Sequence, residues 1–302
     1  MAQWMGHLGF ELRMLADYIL ERVKEGDRVF ADETTLPTLA PGSGKAMKTW
    51  LWAYARDDRP YGGTGPPMVA YRFEDSRSSE CVARHLAGFN GILQVDGYTA
   101  YTSLAKARVK AGSNEAIRLA GCWAHLRRKF YDLHISGLSQ AATNTVIAMS
   151  ALWKVEDEVR GKDADTRATL RQEKSAAIVA ALFDLWEKEL RKISGKSKTA
   201  EAIRWREALE RFLADGRIEI DSNIVERAIR PQTITRKNSL FAGSDGGGRT
   251  WATLATLLQT CKMNSVDPLD WLSQTLIRIA QGWSAAEIEM LMPWNFRPDV
   301  IG

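Results

Sequence analysis

The segment Gly91–Val95 constrains the fold more than any other part of the sequence, because it is a short strand with an almost continuous apolar run. Successive side chains of a strand point to opposite sides of a sheet, so such a run needs cover on both sides. Gly91 breaks the chain before the run, and Asp96 follows it directly. The sequence therefore predicts a buried strand inside a layered protein.

Strand signals also lie upstream of this segment, at Val29–Leu39, Thr49–Ala55 and Met68–Phe73, after a helix predicted over residues 8–26. Pro- and Gly-rich tracts separate the three, which indicates an antiparallel meander. A helix over Ser79–Phe89 and a strand over Ile117–Trp123 complete the pattern. A meander followed by crossover-connected strands predicts an α/β fold with a mixed sheet, in the ribonuclease-H-like order.

Residues 138–215 differ in composition from the rest, since glycine is rare and Ala, Leu, Glu, Lys and Arg dominate. Apolar residues recur there at helical spacing, which predicts an insertion of three or four helices. We expect an N-terminal helix over 1–27 and the first part of the core over 28–137. The insertion over 138–215 follows, then completion of the core over 216–250 and a C-terminal helical element over 251–302.

The completion of the core is predicted to contain a short extended piece at 218–220 and a helix that carries Glu226, with Asn223 in a capping-box position. A basic loop over 231–249 is expected to follow, and its Gly246–Gly248 tract is interpreted as a flexible turn. Helices over Thr250–Met263 and from Asp267-Pro268 through Ile279 complete the chain.

Three carboxylates stand where metal-dependent chemistry on a phosphodiester needs them. Asp32 and Asp96 end short apolar strands, and Glu226 opens a basic helix. Hard divalent cations take carboxylate oxygens as ligands, and two such ions can hold the attacking and leaving oxygens of a phosphodiester. Each residue also has a purely structural interpretation, as a turn residue or a helix cap.

Two neighbouring carboxylates are alternatives to this set. Glu33 follows Asp32 directly and should point to the opposite face of the sheet, which makes it the weaker candidate. Asp221 lies five residues before Glu226 at the entrance to the same helix, so it competes for the third position.

Two basic clusters accompany the carboxylates and predict contacts to a phosphate backbone. One contains Arg227, Arg230, Arg236, Lys237 and Arg249. The other contains Arg127, Arg128 and Lys129, which cannot all face one way on a helix. His125, just before the second cluster, is an auxiliary candidate for orienting a phosphate or a water molecule, with a structural role as the alternative.

Composition limits the class of protein. A chain of 302 residues with 45% hydrophobic residues and a net charge of +4 is typical of a globular protein that tolerates a polyanion partner. Three widely spaced cysteines predict neither a disulfide framework nor a zinc site. No stretch resembles a secretory signal or a membrane span, so the sequence predicts a cytoplasmic protein without a membrane partner.

Taken in order, these segments resemble the IS66 family of insertion-sequence transposases. The likeness covers nearly the whole chain from about residue 10, and its specificity comes from the order of individually weak motifs. The matching segments are Ala31–Thr34, Leu51–Asp57, Val95–Tyr98, Cys122–Phe130, Asp221–Asn223, Glu226–Pro231, Arg236–Asn238, Leu240–Ser244 and Met292–Asn295.

The resemblance implies a DDE transposase with a ribonuclease-H-like catalytic core, in which Asp32, Asp96 and Glu226 form the acidic triad. It implies two Mg²⁺ ions, with Mn²⁺ as an alternative, and DNA substrates comprising the insertion-sequence ends and the target. A homo-oligomer on DNA, element-encoded accessory proteins and a location at the bacterial nucleoid are expected as well.

Members of this family usually carry an upstream portion with a coiled-coil or helix-turn-helix part and a cysteine-rich zinc segment. This chain begins close to the catalytic core and is expected to be a fragment, a truncated copy, or the product of a split or misassigned start, with 1–27 as the remnant of the upstream region. Two alternatives to an active transposase remain: a nuclease of the same fold that does not join strands, and an inactive remnant that binds DNA or a partner transposase.

Overall fold

The computed structural model describes residues 2–40, 42, 44–112, 116–137, 139–190, 200 and 203–298. The protein is a mixed α/β protein with a mixed five-stranded sheet and many helices. The chain divides into two compact units, the first comprising Met1–Asp57, Pro66–Gly91 and Asn223–Gly302, and the second comprising Asp58–Gly65 and Ile92–Ser222. No described helix combines the length and the apolar character that crossing a bilayer requires.

The strands are β1 (Arg28–Thr35), β2 (Thr38–Ala40), β3 (Lys45–Met47), β4 (Trp50–Arg56), β5 (Met68–Glu74), β6 (Gly91–Val95) and β7 (Ile117–Gly121). The helices are α1 (Ala2–Glu11), α2 (Arg13–Lys24), α3 (Ser79–His85), α4 (Thr99–Lys110), α5 (Trp123–Ile135), α6 (Gln140–Val159), α7 (Ala164–Lys174), α8 (Ala176–Leu190), α9 (Arg206–Ala214), α10 (Asn223–Ser239), α11 (Asp245–Met263) and α12 (Pro268–Ala280).

The first unit contains the predicted meander. β4 pairs antiparallel with β1 on one side and with β5 on the other, with Asp32 opposite Ala53 and Ala53 opposite Tyr71. The predicted single strand Val29–Leu39 is wrong in its second half, because β1 ends at Thr35 and β2 pairs with β3 as a separate hairpin. Pro37 lies at the break, and a proline lacks the N–H that a continuing strand would donate.

Helices α10 and α11 pack on one face of this meander. Phe30, Leu51, Ala53 and Tyr71 supply the strand side of this core, together with Ile224, Val225, Ala228, Ile229, Ala252 and Ala255 from the helices. The backbone N–H of Tyr71 also donates to the Thr256 hydroxyl at 2.8 Å. Since side chains alternate along a strand, Asp32 shares this helix-covered face with Phe30, whereas Glu33 points away from it.

The predicted basic loop over 231–249 is wrong, because α10 continues through Pro231 as far as Ser239. A proline inside a helix removes one backbone hydrogen bond and usually ends the helix. Here the residues just before it, Ala228 and Ile229, are buried against the sheet, and the Tyr71 hydroxyl donates to the Ala228 carbonyl. Tertiary packing of this kind outweighs the local preference.

The interpretation of Gly246–Gly248 as a flexible turn is also wrong, since these residues form the first turn of α11. Ser244 caps that helix by accepting a hydrogen bond from the Gly247 N–H at 3.1 Å. A Cβ atom at Gly248 would lie 2.3 Å from a ring carbon of Phe73. Glycine is therefore required there for the close approach of α11 to β5.

Smaller differences concern the helix boundaries. The helix predicted over 8–26 is two helices, α1 and α2, that meet at Leu12. Residues 218–220 form no strand, and α10 already begins at Asn223, so that residue lies in the first turn and not in the predicted capping position. Asp267 does cap α12 as expected, accepting from the N–H groups of Leu269 and Asp270.

The second unit contains β6, β7 and the helices α4–α9. β6 is buried along its whole length, as its composition predicted. Four helices, α6–α9, are described within the predicted helical block, and α6, α8 and α9 share a core with α5. The aromatic rings of Phe130 and Trp186 stack there with their centroids 5.3 Å apart. The indole N–H of Trp186 donates to the Thr145 hydroxyl, so its one polar atom is satisfied.

A buried arginine connects these helices to the segment that precedes α10. Arg171 is fully buried and donates to both carboxylate oxygens of Glu156, at 2.8 and 2.6 Å. Its remaining terminal nitrogen donates to the carbonyls of Phe212 and Ile218. Arg167, also buried, forms an ion pair with Glu219 at 2.8 Å. The block is thus fixed to residue 218 by a charged hydrogen bond and to residue 219 by an ion pair.

Replacing Glu156 with Gln should destabilise the second unit by about 3 kcal/mol or more, because removal of one partner leaves buried guanidinium charge uncompensated. Urea denaturation followed by tryptophan fluorescence and far-UV circular dichroism measures the loss. Glu158→Gln is the matched control, because its pair with Lys174 is largely exposed and should contribute no more than about 1 kcal/mol. Equal losses in the two variants would contradict the assigned role of the buried pair.

The opposite face of the meander carries a buried polar chain that runs from Tyr54 through His85 to Glu74. The Tyr54 hydroxyl and His85 Nδ1 are 2.9 Å apart, and His85 Nε2 and Glu74 Oε1 are 2.8 Å apart. Burial raises the pKa of Tyr54, so the phenol stays protonated and donates. The hydrogen bond from His85, assisted by Arg84, lowers the pKa of Glu74 to about 2. Burial lowers the pKa of His85 despite its acidic partner.

The hydrogen-bonded side chains of Tyr54, His85 and Glu74 should make the first unit less stable at acidic pH. The pKa of Glu74 is about 2 in the folded protein and about 4.3 in the unfolded chain. Its ionised carboxylate therefore stabilises the fold above about pH 4.3, and this stability is lost as the pH falls toward about 2. A histidine buried in neutral form loses its contribution as the pH falls below about 6.5, so both groups act in the same direction. Glu74→Gln should reduce the loss of stability between pH 5 and pH 3 in urea titrations. The exposed neighbour variant Glu80→Gln should leave that loss unchanged.

Candidate catalytic carboxylates

Asp32 and Glu226 both belong to the first unit. Asp32 is half-buried on β1, and its Oδ1 accepts a hydrogen bond from the Glu33 N–H at 2.8 Å. Glu226 is half-buried in the first turn of α10, the helix that packs on the face of the meander to which Asp32 belongs. Glu226 therefore lies on a helix that packs against the sheet face to which Asp32 belongs.

Glu33 is engaged elsewhere. Its side chain is 1% exposed and forms an ion pair with Arg77, whose guanidinium lies over the ring of Trp50 at 4.7 Å. A carboxylate held by a guanidinium in this way is a poor ligand for a metal ion. The choice of Asp32 over Glu33 agrees with the alternation of side chains along β1.

Arg236, one of the predicted phosphate contacts, anchors α10 to the end of β1. Its Nη1 donates to the hydroxyls of Thr34 and Thr35, at 3.0 and 2.8 Å, and to the Thr35 carbonyl. The anchor fixes the last part of α10 beside the strand that carries Asp32. A phosphate contact by Arg236 stays a prediction, and it would compete with these bonds.

Asp96 lies in the second unit, just after β6. It is half-buried, and its Oδ1 accepts from the Tyr98 N–H at 2.9 Å. A small recess of about 30 Å³ adjoins it and is lined also by Cys122, Lys129 and Trp205. Its volume is that of about one water molecule. Lys129 therefore lies on the Asp96 side of α5, apart from the other two cations of its cluster.

Gln94 fixes the segment that contains Asp221. It is fully buried and lies two residues before Asp96. Its amide donates to the carbonyls of Glu219 and Asp221, at 2.6 and 3.0 Å, and its carbonyl accepts from the Glu219 N–H. Asp221 thus stays a rival third ligand, since its backbone is held against β6, the strand that directly precedes Asp96.

His125 belongs to a polar cluster with Cys122 and Ser222. His125 Nδ1 lies 3.2 Å from Cys122 Sγ, and the Ser222 hydroxyl lies 3.2 Å from the same sulfur. Cys122 and Ser222 are buried and His125 is half-buried. These contacts give the histidine a structural role, and its auxiliary role in chemistry stays a prediction.

The remaining predicted cations are distributed over separate surfaces. Arg127 and Arg128 line a groove with Tyr131 and Trp153, and the Arg127 guanidinium lies 5.4 Å from the Tyr131 ring. Arg227, Arg230 and Lys237 are exposed on α10, and Arg249 is exposed in the first part of α11. As predicted, the cluster does not face one way: Arg127 and Arg128 line this groove, whereas Lys129 lies beside Asp96.

Sequence reasoning missed Gln94, Cys122 and Ser222. Gln94 carried a usable signal, because it is the polar residue inside an apolar strand, and a buried amide requires hydrogen-bond partners. Cys122 and Ser222 lie within two of the matching segments, but nothing in the sequence indicates their contact, which joins positions 100 residues apart.

Comparison with known proteins identifies the family. Residues 1–250 match the Transposase IS66 family, and residues 256–294 match the IS66 C-terminal element. The chain therefore belongs to the IS66 transposase family.

Three proteins of Sinorhizobium fredii (strain NBRC 101917 / NGR234) are similar over nearly the whole chain. Uncharacterized protein y4qI is 84% identical over 306 residues, uncharacterized protein y4jD is 43% identical over 308, and uncharacterized protein y4hP is 34% identical over 314. The alignments include 100%, 99% and 98% of this chain, and 57%, 59% and 56% of the respective relatives. The chain thus spans somewhat more than half the length of the curated relatives it matches.

The Gln94 contacts can be tested by replacing this residue with Leu. The change should cost about 1–3 kcal/mol, because the backbone groups of Glu219 and Asp221 lose a buried partner. Hydrogen exchange should be faster at residues 217–222 and unchanged in α6. Gln140→Leu, which removes an exposed bond to Asn144, should change neither quantity. Unchanged exchange at 217–222 in Gln94→Leu would show that the segment is held by other contacts.

Proposed function

We propose that this chain is the catalytic region of a DDE transposase with a ribonuclease-H-like core, and that it cleaves DNA phosphodiesters and transfers strands with Asp32, Asp96 and Glu226. The observation that carries the proposal is family membership over residues 1–250, combined with the packing of the Glu226 helix on the face of β1 that includes Asp32. The three-stranded antiparallel meander supports the proposed core.

The donor set fits Mg²⁺, with Mn²⁺ as an alternative. Asp32, Asp96 and Glu226 are half-buried carboxylates, and oxygen donors of this kind are preferred by both ions. One oxygen of each aspartate accepts a backbone N–H, which fixes the orientation of the carboxylate. The three residues would hold two metal ions, which when bound stabilise the charge that develops on the attacking and leaving oxygens.

The cations of the chain would position the DNA backbone. Arg127, Arg128, Arg227, Arg230, Lys237 and Arg249 are exposed or line open grooves, and contacts of this type hold a nucleic acid in register without reading its sequence. Lys129, beside Asp96, would bind a phosphate next to the reacting group. The nucleophile is water or a DNA 3′-hydroxyl, so no covalent link between protein and DNA is required. Insertion-sequence ends, target DNA and a homo-oligomer on DNA are the partners proposed for the whole protein.

Asp32→Asn, Asp96→Asn and Glu226→Gln should each reduce Mg²⁺-dependent nicking of supercoiled DNA to background, because each removes a metal ligand. DNA affinity measured in EDTA should be retained or increased, since negative charge is lost from a site near phosphate. Supplying a pre-cleaved end with a free 3′-hydroxyl and detecting joined product distinguishes strand transfer from simple hydrolysis.

Asp75→Asn is the matched control, because Asp75 is an exposed aspartate that directly follows β5. It should nick at the parent rate. The proposal is wrong if Asp96→Asn also cleaves at the parent rate. Loss of nicking in Asp221→Asn, together with retention in Glu226→Gln, would transfer the third position to Asp221.

A further inference from the structure

The first unit contains a large groove that includes Arg249 and lacks all three proposed metal ligands. It has a volume of about 990 Å³ and lies among α1, α11 and the middle of α10. α1 and α11 are in close contact along one wall, because a Cβ atom at Gly9 would lie 2.7 Å from the Thr250 hydroxyl oxygen. This wall is therefore a fixed part of the unit.

The lining of the groove is cationic. Arg13, Arg249 and Lys262 contribute exposed side chains, and none of the described lining residues is an aspartate or a glutamate. Arg249 and Lys262 are 13 positions apart on α11, so their backbone positions are about 20 Å apart along the helix. Cations spaced along a groove follow a polyanion backbone, and their neutralising effect favours its binding.

The same groove offers apolar and aromatic surface to its occupant. Trp251, Leu254 and Leu258 of α11 are half-buried, and Phe10 at the rim is 64% exposed. The Arg13 guanidinium lies 5.5 Å from the centre of the Phe10 ring. An exposed ring beside a cation resembles the stacking surfaces on which unpaired bases bind.

The positive charge and the apolar surface of the groove together indicate which ligand fits it. A duplex stacks its base faces inside and offers mainly phosphates and groove edges, so it would leave the apolar surface of the groove uncovered. A protein segment would cover that surface, but it would require carboxylates to match three cations. Single-stranded DNA offers both a phosphate backbone and open base faces.

We infer that the groove formed by α1, the first residue of α2, α10 and α11 binds single-stranded DNA, with the bases against Phe10 and the α11 surface and the phosphates on Arg13, Arg249 and Lys262. The inference shares with the proposed function the class of ligand and one phosphate contact, Arg249. It assigns a second binding surface in the first unit, for DNA that is unpaired.

Fluorescence anisotropy of a labelled 15-nucleotide oligo-dT with the full chain in EDTA tests this inference. The slope of log K against log salt concentration should fall in magnitude by about 0.7 for each of Arg13→Gln, Arg249→Gln and Lys262→Gln. Phe10→Ala should weaken binding about 5- to 150-fold without a change of slope, because stacking is lost and charge is not. Metal is absent, so a failure of catalysis leaves this result unaffected.

The controls lie outside the groove. Lys110→Gln removes an exposed cation and Trp283→Ala an exposed aromatic ring, and both should bind oligo-dT as the parent does. Parent-like oligo-dT binding by the groove variants would overturn the inference. It is equally overturned if those variants weaken binding of a 15-base-pair duplex as much as that of oligo-dT. A change in sedimentation alone would assign the groove to contact between copies of the chain.

Discussion

The packing of α10 on one face of the β1–β4–β5 meander is the interaction on which the rest of the first unit depends. Val225, Ala228 and Ile229 bury the helix against Phe30, Leu51 and Tyr71, and this contact keeps the helix continuous across Pro231. Arg236 then holds its far end at Thr34 and Thr35. The position of Glu226 relative to the strand that carries Asp32 follows from these two contacts.

Elements whose pattern reflects burial were predictable from the sequence. β6 agrees with its prediction because a strand buried on both faces must be largely apolar, and the meander agrees because alternation fixes its faces. The family was predictable from the order of its motifs, as the match over residues 1–250 confirms. Asp32, Asp96 and Glu226 could be named as candidates from that same order.

Elements decided by contacts distant in sequence were not predictable. Pro231 and the Gly246–Gly248 tract both indicate chain breaks, yet each lies inside a helix. Glycine is required at position 248 because the Phe73 ring leaves no room for a Cβ atom, and no residue near position 248 in the sequence indicates this contact. Arg236 has the sequence context of a phosphate ligand, but the two threonine hydroxyls that bind it lie about 200 positions away.

The guanidinium of Arg171 has a consequence for any attempt to shorten this chain. Deleting α6–α9 would remove Arg171, which donates to the Ile218 carbonyl. It would also remove Arg167 on α7, which forms an ion pair with Glu219. Residues 218–221 would keep their hydrogen bonds to Gln94 but lose their contacts with the two buried arginines. The helical block is therefore part of the support of residues 218–219, and a chain without it would hold these residues less firmly.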